Sequence, residues 1–208
     1  MPKVCLDLHD FSVPNNRLDL LWKIKQSYPN FKVSLFTIPY DIKREPGLNH
    51  AEREQTLKEI RECSDWLQII PHGLHHNASE VKDWNYGHMK DYVLPKIRYY
   101  FERDWLPYAE GFCAPHWRWN TEVVKALDDM GWWGAISPAR PDMLSTKKFF
   151  TYDYPIDQSF WESTKDVWRI HGHIGSTGND LEKCMDNIFK IPIDAEWHYI
   201  TDFVEEKI

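Results

Sequence analysis

The stretch Lys3-Val4-Cys5-Leu6-Asp7-Leu8-His9-Asp10 decides the fold. Its first seven residues alternate and are rich in β-formers, so they read as a strand. That strand ends on a His-Asp pair. An aspartate within an apolar strand is costly unless it is paired or used, which marks Asp7 as either functional or bonded to a neighbour such as Arg169 or Arg118.

Outward from this strand, residues 15–28 place Leu18, Leu21, Trp22 and Ile24 at helical spacing before Pro29. Residues 32–37 read as a second strand, 51–63 as a charged surface helix, and 66–70 as a third strand stopping at Pro71. Residues 88–103 read as a helix that Pro95 starts or kinks. Residues 110–113 form a short strand. Asn120 looks like an N-cap, with Val123, Leu127 and Met130 behind it and Gly131 as the stop. Residues 132–137 and 166–173 are strands, 181–191 a last helix and 196–201 a final strand; residues 138–148 are the long loop. Alternating strand and helix argues for an α/β fold with a mostly parallel sheet, open or closed into a barrel. No repeat or linker interrupts it, so one domain over 1–208 is expected.

Composition narrows the function. Hydrophobic residues make up 42% of 208, enough for a continuous core. No apolar run approaches the roughly 20 residues that cross a bilayer, and Met1-Pro2-Lys3 opens neither a signal peptide nor an anchor. Cys5, Cys63, Cys113 and Cys184 form no Cys-x-x-Cys pair and read as buried thiols of a reducing compartment, so the cytoplasm is the expected location. With a formal charge of −7 and no basic block, nucleic acid is not an expected partner, nor is a membrane. The chain carries 11 Trp, 10 Tyr and 10 Phe. Most should fill the core, but loop aromatics such as Trp84, Trp117 and Trp119 offer flat faces that can stack on sugar rings.

Chemistry collects at strand C-termini in parallel α/β folds. Seven of the ten histidines fall at such ends: His9, His72, His75, His76, His116, His171 and His173. His72 and His76 are four apart, so a helical turn after Pro71 would project both imidazoles from one face; a pair using His75 is the competing geometry. Asp10 adds a hard third ligand. Two imidazole nitrogens and a carboxylate leave positions open for water, as in a catalytic site for one divalent transition metal, with zinc expected.

In motif order the chain resembles the polysaccharide deacetylase (NodB-homology) superfamily, in a divergent short branch with a His-Asp first motif. Asp10 takes the place of that family's metal-binding acid, and His9 stands where its first acid, the base, would be. His72-Gly73-Leu74-His75-His76 fits the family's His-small-x-x-His motif. Phe112-Cys113-Ala114-Pro115-His116-Trp117 resembles the third motif, without the arginine that orients the base. Ile170-His171-Gly172-His173 resembles the last, whose histidine is the general acid. The resemblance runs from Lys3 to about Ile174 and implies a single-domain distorted (β/α) barrel.

It also implies a metal-dependent hydrolase that acts on a C–N amide, an N-deacetylase of an acetylated amino sugar or a related small or soluble glycan. His9 or Asp7 would accept a proton. His171 and His173 share a strand face; His173, nearer the rim, is preferred as the donor. Pro115, His116 and Trp117 would line the substrate cleft. Two alternatives stay open: a catalytically inactive carbohydrate- or metal-binding protein on the same fold, and a hydrolase of another C–N or glycosidic bond.

Overall fold

The computed structural model describes residues 1–40, 50–138, 146–175 and 180–206. The expected loop at 138–148 therefore lies largely outside the described residues. Strand β1 (Lys3–Phe11) occupies the centre of a six-stranded sheet. Helix α1 (Leu18–Ser27), strand β2 (Val33–Thr37), helix α2 (His50–Glu62) and strand β3 (Leu67–Pro71) follow. A helical turn at Tyr86–His88 runs into a π-helical segment, Met89–Val93, and then helix α3 (Leu94–Arg103). Pro95, which has no N–H for the α-helical ladder, sits just after that wider turn, so a locally altered helix takes the place of a break.

Strand β4 (Gly111–Cys113), helix α4 (Thr121–Asp129) and strand β5 (Trp133–Ile136) come next, then β6 (Lys148–Thr151), β7 (Tyr154–Pro155) and β8 (Val167–His173). Helix α5 (Leu181–Ile188), β9 (Glu196–His198) and β10 (Glu205–Glu206) complete the described elements. Asn120 caps α4 by accepting from Val123 N–H at 2.8 Å, and Asp180 caps α5 from Lys183 N–H at 3.0 Å.

The larger sheet runs β3-β2-β1-β8-β7 with β9 beside β1, and a second runs β10-β6-β5-β4. Among the described residues every ladder is parallel except β10 with β6. Bridges from Ile69 to Tyr108 and from His72 to Cys113 link the β3 edge to the β4 segment. The result is an α/β fold of distorted-barrel type, with helices packed outside.

Alternation along β1 builds both layers of the core. Val4, Leu6 and Leu8 face outward into the larger apolar cluster under the helices. Cys5 faces inward with Phe36, Ile70, Cys113, Trp133, Phe150 and Ile200. Asp7 and His9 continue that inward face toward the strand's C-terminal end. Fully buried Phe36 makes part of the floor beneath them, its ring centroid 4.4 Å from that of His9; burying such a side chain contributes about 1.5–3 kcal/mol.

Candidate metal centre and cleft

Beyond His9 the backbone of β1 turns sharply. Pairing with β2 slips register between Leu8 and Phe11, and Asp10 adopts φ 62. A left-handed aspartate is uncommon and strained; here it brings the carboxylate toward the end of β3. His72 leaves that strand with its Nδ1 3.1 Å from the Cys113 carbonyl oxygen. Donation from Nδ1–H to that oxygen leaves Nε2 bare, the tautomer a metal ligand needs.

The segment from His72 to His76 is not the helical turn expected from its spacing. It is an irregular loop with Gly73 at φ +65 and His76 at φ 59. Its organiser is Glu80, which accepts hydrogen bonds from the backbone N–H groups of Leu74 (2.9 Å), His75 (2.9 Å) and His76 (3.2 Å). A helix would have spent those N–H groups on its own ladder; a carboxylate collecting them holds a different curve. The outcome still brings the two imidazoles together. His76 Nε2 lies 3.1 Å from His72 Nε2, and Asp10 Oδ1 lies 3.0 Å from the former and 3.3 Å from the latter.

Three ligand atoms of a tetrahedral zinc at the usual bond lengths stand about 3.3 Å apart, so the donor set fits such an ion in number, type and spacing. Burial opposes charge on Asp10, yet the imidazoles of His72 and His76 close beside it hold its carboxyl well below the usual range. Burial lowers the pKa of His72, with Asp10 working against it. His75 is not part of the trio: it is exposed and its ring meets Tyr40 at 4.3 Å.

Beside this trio lies a second buried group. Asp7 Oδ2 is 2.7 Å from His171 Nδ1 and 3.4 Å from His9 Nε2. The partner of Asp7 is thus a histidine; neither expected arginine fills the role. Arg169 pairs with Asp153 and Glu205, and Arg118 donates to the Ala78 carbonyl. The parallel register of β1 and β8 explains this, since it sets Asp7 opposite His171 and His9 opposite His173. Burial pushes the Asp7 carboxyl up, against the pull of His171. Burial, then the surrounding histidines, push His9 well down. Tyr152 stacks on His171 at 4.4 Å.

A cleft of about 430 Å³ opens above, lined by His9, Asp10, His72, His76, His116, Trp117, Arg118 and His173. His116 and Trp117 both have left-handed backbones, φ 54 and 58, which turn the chain across the opening. Trp117 stands 5.0 Å from the His9 ring. Pro115, expected in the cleft wall, is instead buried beneath it; a Cβ on Gly73 would meet its ring at 2.5 Å. Trp84 and Trp119 likewise pack on Phe112 at the core and do not line this cleft. Asp7 and His171 lie under the lining, while His9 and His173 reach it. Glu80 and Tyr152 went unmarked in the sequence: one is an ordinary charge in a polar run, the other a tyrosine distant along the chain.

No protein-family model matches the chain, and no curated protein does. Solved structures do. A family 4 carbohydrate esterase from Streptomyces lividans, in complex with acetate, matches at TM-score 0.61 and 11% identity over 91% of this chain and 88% of that one. A CE4-family pseudoenzyme from Bacillus anthracis matches at TM-score 0.60 and 15% identity over 96% of this chain and 64% of that one. A family 4 acetyl xylan esterase from Clostridium thermocellum, in complex with a cobalt ion, matches at 0.59 and 11% over 96% and 89%. At such identities the likeness is one of fold, and the fold is that of the CE4, NodB-type proteins.

Proposed function

We propose that the chain is a metal-dependent hydrolase of an acylated carbohydrate, with an N-acetylated amino sugar as the leading substrate class. The observation that supports this most is the convergence of Asp10, His72 and His76 at the C-terminal strand ends, beside Trp117 and inside an open cleft. A divalent cation held there, zinc by preference, supplies Lewis acidity for polarising a carbonyl and activating water near neutral pH. The chain's own residues do the rest. Trp117 offers a flat face for a sugar ring. His173 reaches the cleft and donates a proton to the departing amine or alcohol. His116 and Arg118 hold substrate oxygens at the rim. The chain is taken as one catalytic domain. Its four cysteines are buried and free, which accords with a reducing compartment such as the cytoplasm, and among the described residues no helix is long and apolar enough to cross a membrane.

The test is release of acetate from a panel of N-acetylated and O-acetylated sugars. Activity should be abolished by a chelator, restored by zinc or cobalt, and absent in His76→Ala. No acetate from the whole panel, with metal bound at Asp10, His72 and His76, would defeat the reaction assignment. The fold also accommodates a non-catalytic glycan binder: His9 stands where an acidic base is expected, Asp7 pairs with His171 and with no arginine among the described residues, and one fold neighbour is a pseudoenzyme. Saturable glycan binding without turnover, unchanged in His173→Ala, would favour that reading.

A further inference from the structure

Seven side chains of types able to ligate a metal, Asp7, His9, Asp10, His72, His76, Cys113 and His171, gather at this end of the barrel, and a single cation on Asp10, His72 and His76 would use three of them. We propose that Asp7, His9 and His171 hold a second divalent transition cation next to the first. The inference extends the metal reading above but stands on its own donors. Asp7-x-His9 on β1 and His171-x-His173 on β8 are matched in parallel register, Asp7 opposite His171 and His9 opposite His173. Alternation directs all four to the barrel interior.

One ligand atom from each of Asp7, His9 and His171 lies within 4.8 Å of the others. All three residues are almost fully buried, at 1%, 2% and 3% exposure. Yet Asp7 Oδ1 and His9 Nε2 have no hydrogen-bond partner among the described residues. Polar atoms left unpaired in a core are unfavourable, and a cation between them and His171 would satisfy both. His9 Nε2 stands 3.4 Å from Asp7 Oδ2, near the 3.0–3.3 Å spacing of the first trio, while His171 Nδ1 is at hydrogen-bond distance, 2.7 Å, from the same oxygen, a contact that a bound cation would open. The two groups adjoin, with His9 and His72 ring centroids 4.6 Å apart; two-metal hydrolytic centres likewise set their ions in neighbouring ligand groups. Two imidazoles and one carboxylate suit zinc, cobalt, iron or manganese better than magnesium or calcium.

The experiment is cobalt titration of chelator-stripped full chain at neutral pH, with bound metal counted by elemental analysis after removal of excess. Wild type should hold two equivalents, Asp7→Asn one, and His76→Ala one. A single equivalent that disappears in His76→Ala and persists in Asp7→Asn would overturn the proposal, leave the first site standing, and reduce Asp7–His171 to a hydrogen-bonded pair. A single equivalent with the opposite dependence would support the buried site and remove the first. No bound metal in wild type would remove both. Far-UV circular dichroism and melting accompany each variant, and His171→Gln replaces Asp7→Asn should the latter not fold.

Discussion

Glu80 and Gly73 depend on each other: a Cβ at position 73 would stand 1.9 Å from Glu80 Oε1. Gly73 also has φ +65, a conformation that side chains resist. Gly73→Ala should therefore destabilise the protein by about 1–3 kcal/mol and displace the Glu80 carboxylate from the three N–H groups it collects. Glu80→Ala should leave the barrel folded while loosening His76, and zinc affinity measured by calorimetry should weaken about 10–100-fold, the usual effect of losing a residue that orients ligands. Unchanged affinity in Glu80→Ala would show that the loop holds its shape without the carboxylate.

Acid should destabilise the metal-free protein at a mild pH. His9 and His72 are buried with pKa values below 6.5, so the unfolded chain binds more protons than the native one between those lowered values and 6.5. Stability is full above pH 6.5 and falls as pH drops through the window. Asp7, raised by burial, acts in the opposite sense: its contribution is full below the ordinary carboxylate value and is lost as pH rises from there through the raised value. Melting in the presence of a chelator should thus decline from pH 7.5 to 5.5, and His9→Asn should flatten that decline. A profile equally steep in His9→Asn would assign the effect elsewhere.

Among the described residues Trp117 is the one tryptophan in the cleft lining, so Trp117→Ala should raise KM for a glycan substrate more than it lowers kcat. A lost aromatic contact worth about 0.5–1.5 kcal/mol corresponds to about 2–10-fold. Steady-state kinetics of the variant would show a fall in kcat alone if the ring served only to pack His9.

Asn120 ties the start of α4 to the segment around Val81 and Trp84. Its Oδ1 caps α4 at Val123 N–H, and its Nδ2 donates to the Trp84 carbonyl at 3.0 Å and to the Val81 carbonyl. Asn120→Ala should cost about 1–2 kcal/mol, lowering the melting temperature by about 2–4 °C per kcal/mol for a chain of this size. Asn120→Asp, which keeps the cap but loses the donors, should fall between the two.

Much of the barrel was legible because its strands alternate and its helices are punctuated. Asn120 and the glycine at 131 bracket α4 as the sequence signals them. The rim was legible because histidines are rarely gathered at strand ends by chance. Three things were not. The His72–His76 loop was misread as a helical turn because its shape is set by Glu80, whose role depends on backbone groups it meets in space. The partner of Asp7 was misassigned because pairing of β1 with β8 spans most of the chain and no local pattern encodes its register. Strands β6 and β7 were missed because they are short, of mixed polarity and adjacent to a polar stretch.

Six residues other than glycine hold left-handed backbones among those described, and four of them, Asp10, His76, His116 and Trp117, border the cleft. Glycine at any of the four would relax the chain while deleting a side chain that faces the opening. Heat-resistance screening and turnover screening would accordingly draw these same positions toward opposite residues, and a laboratory lineage evolved for robustness alone should drift toward a blank rim on an intact barrel.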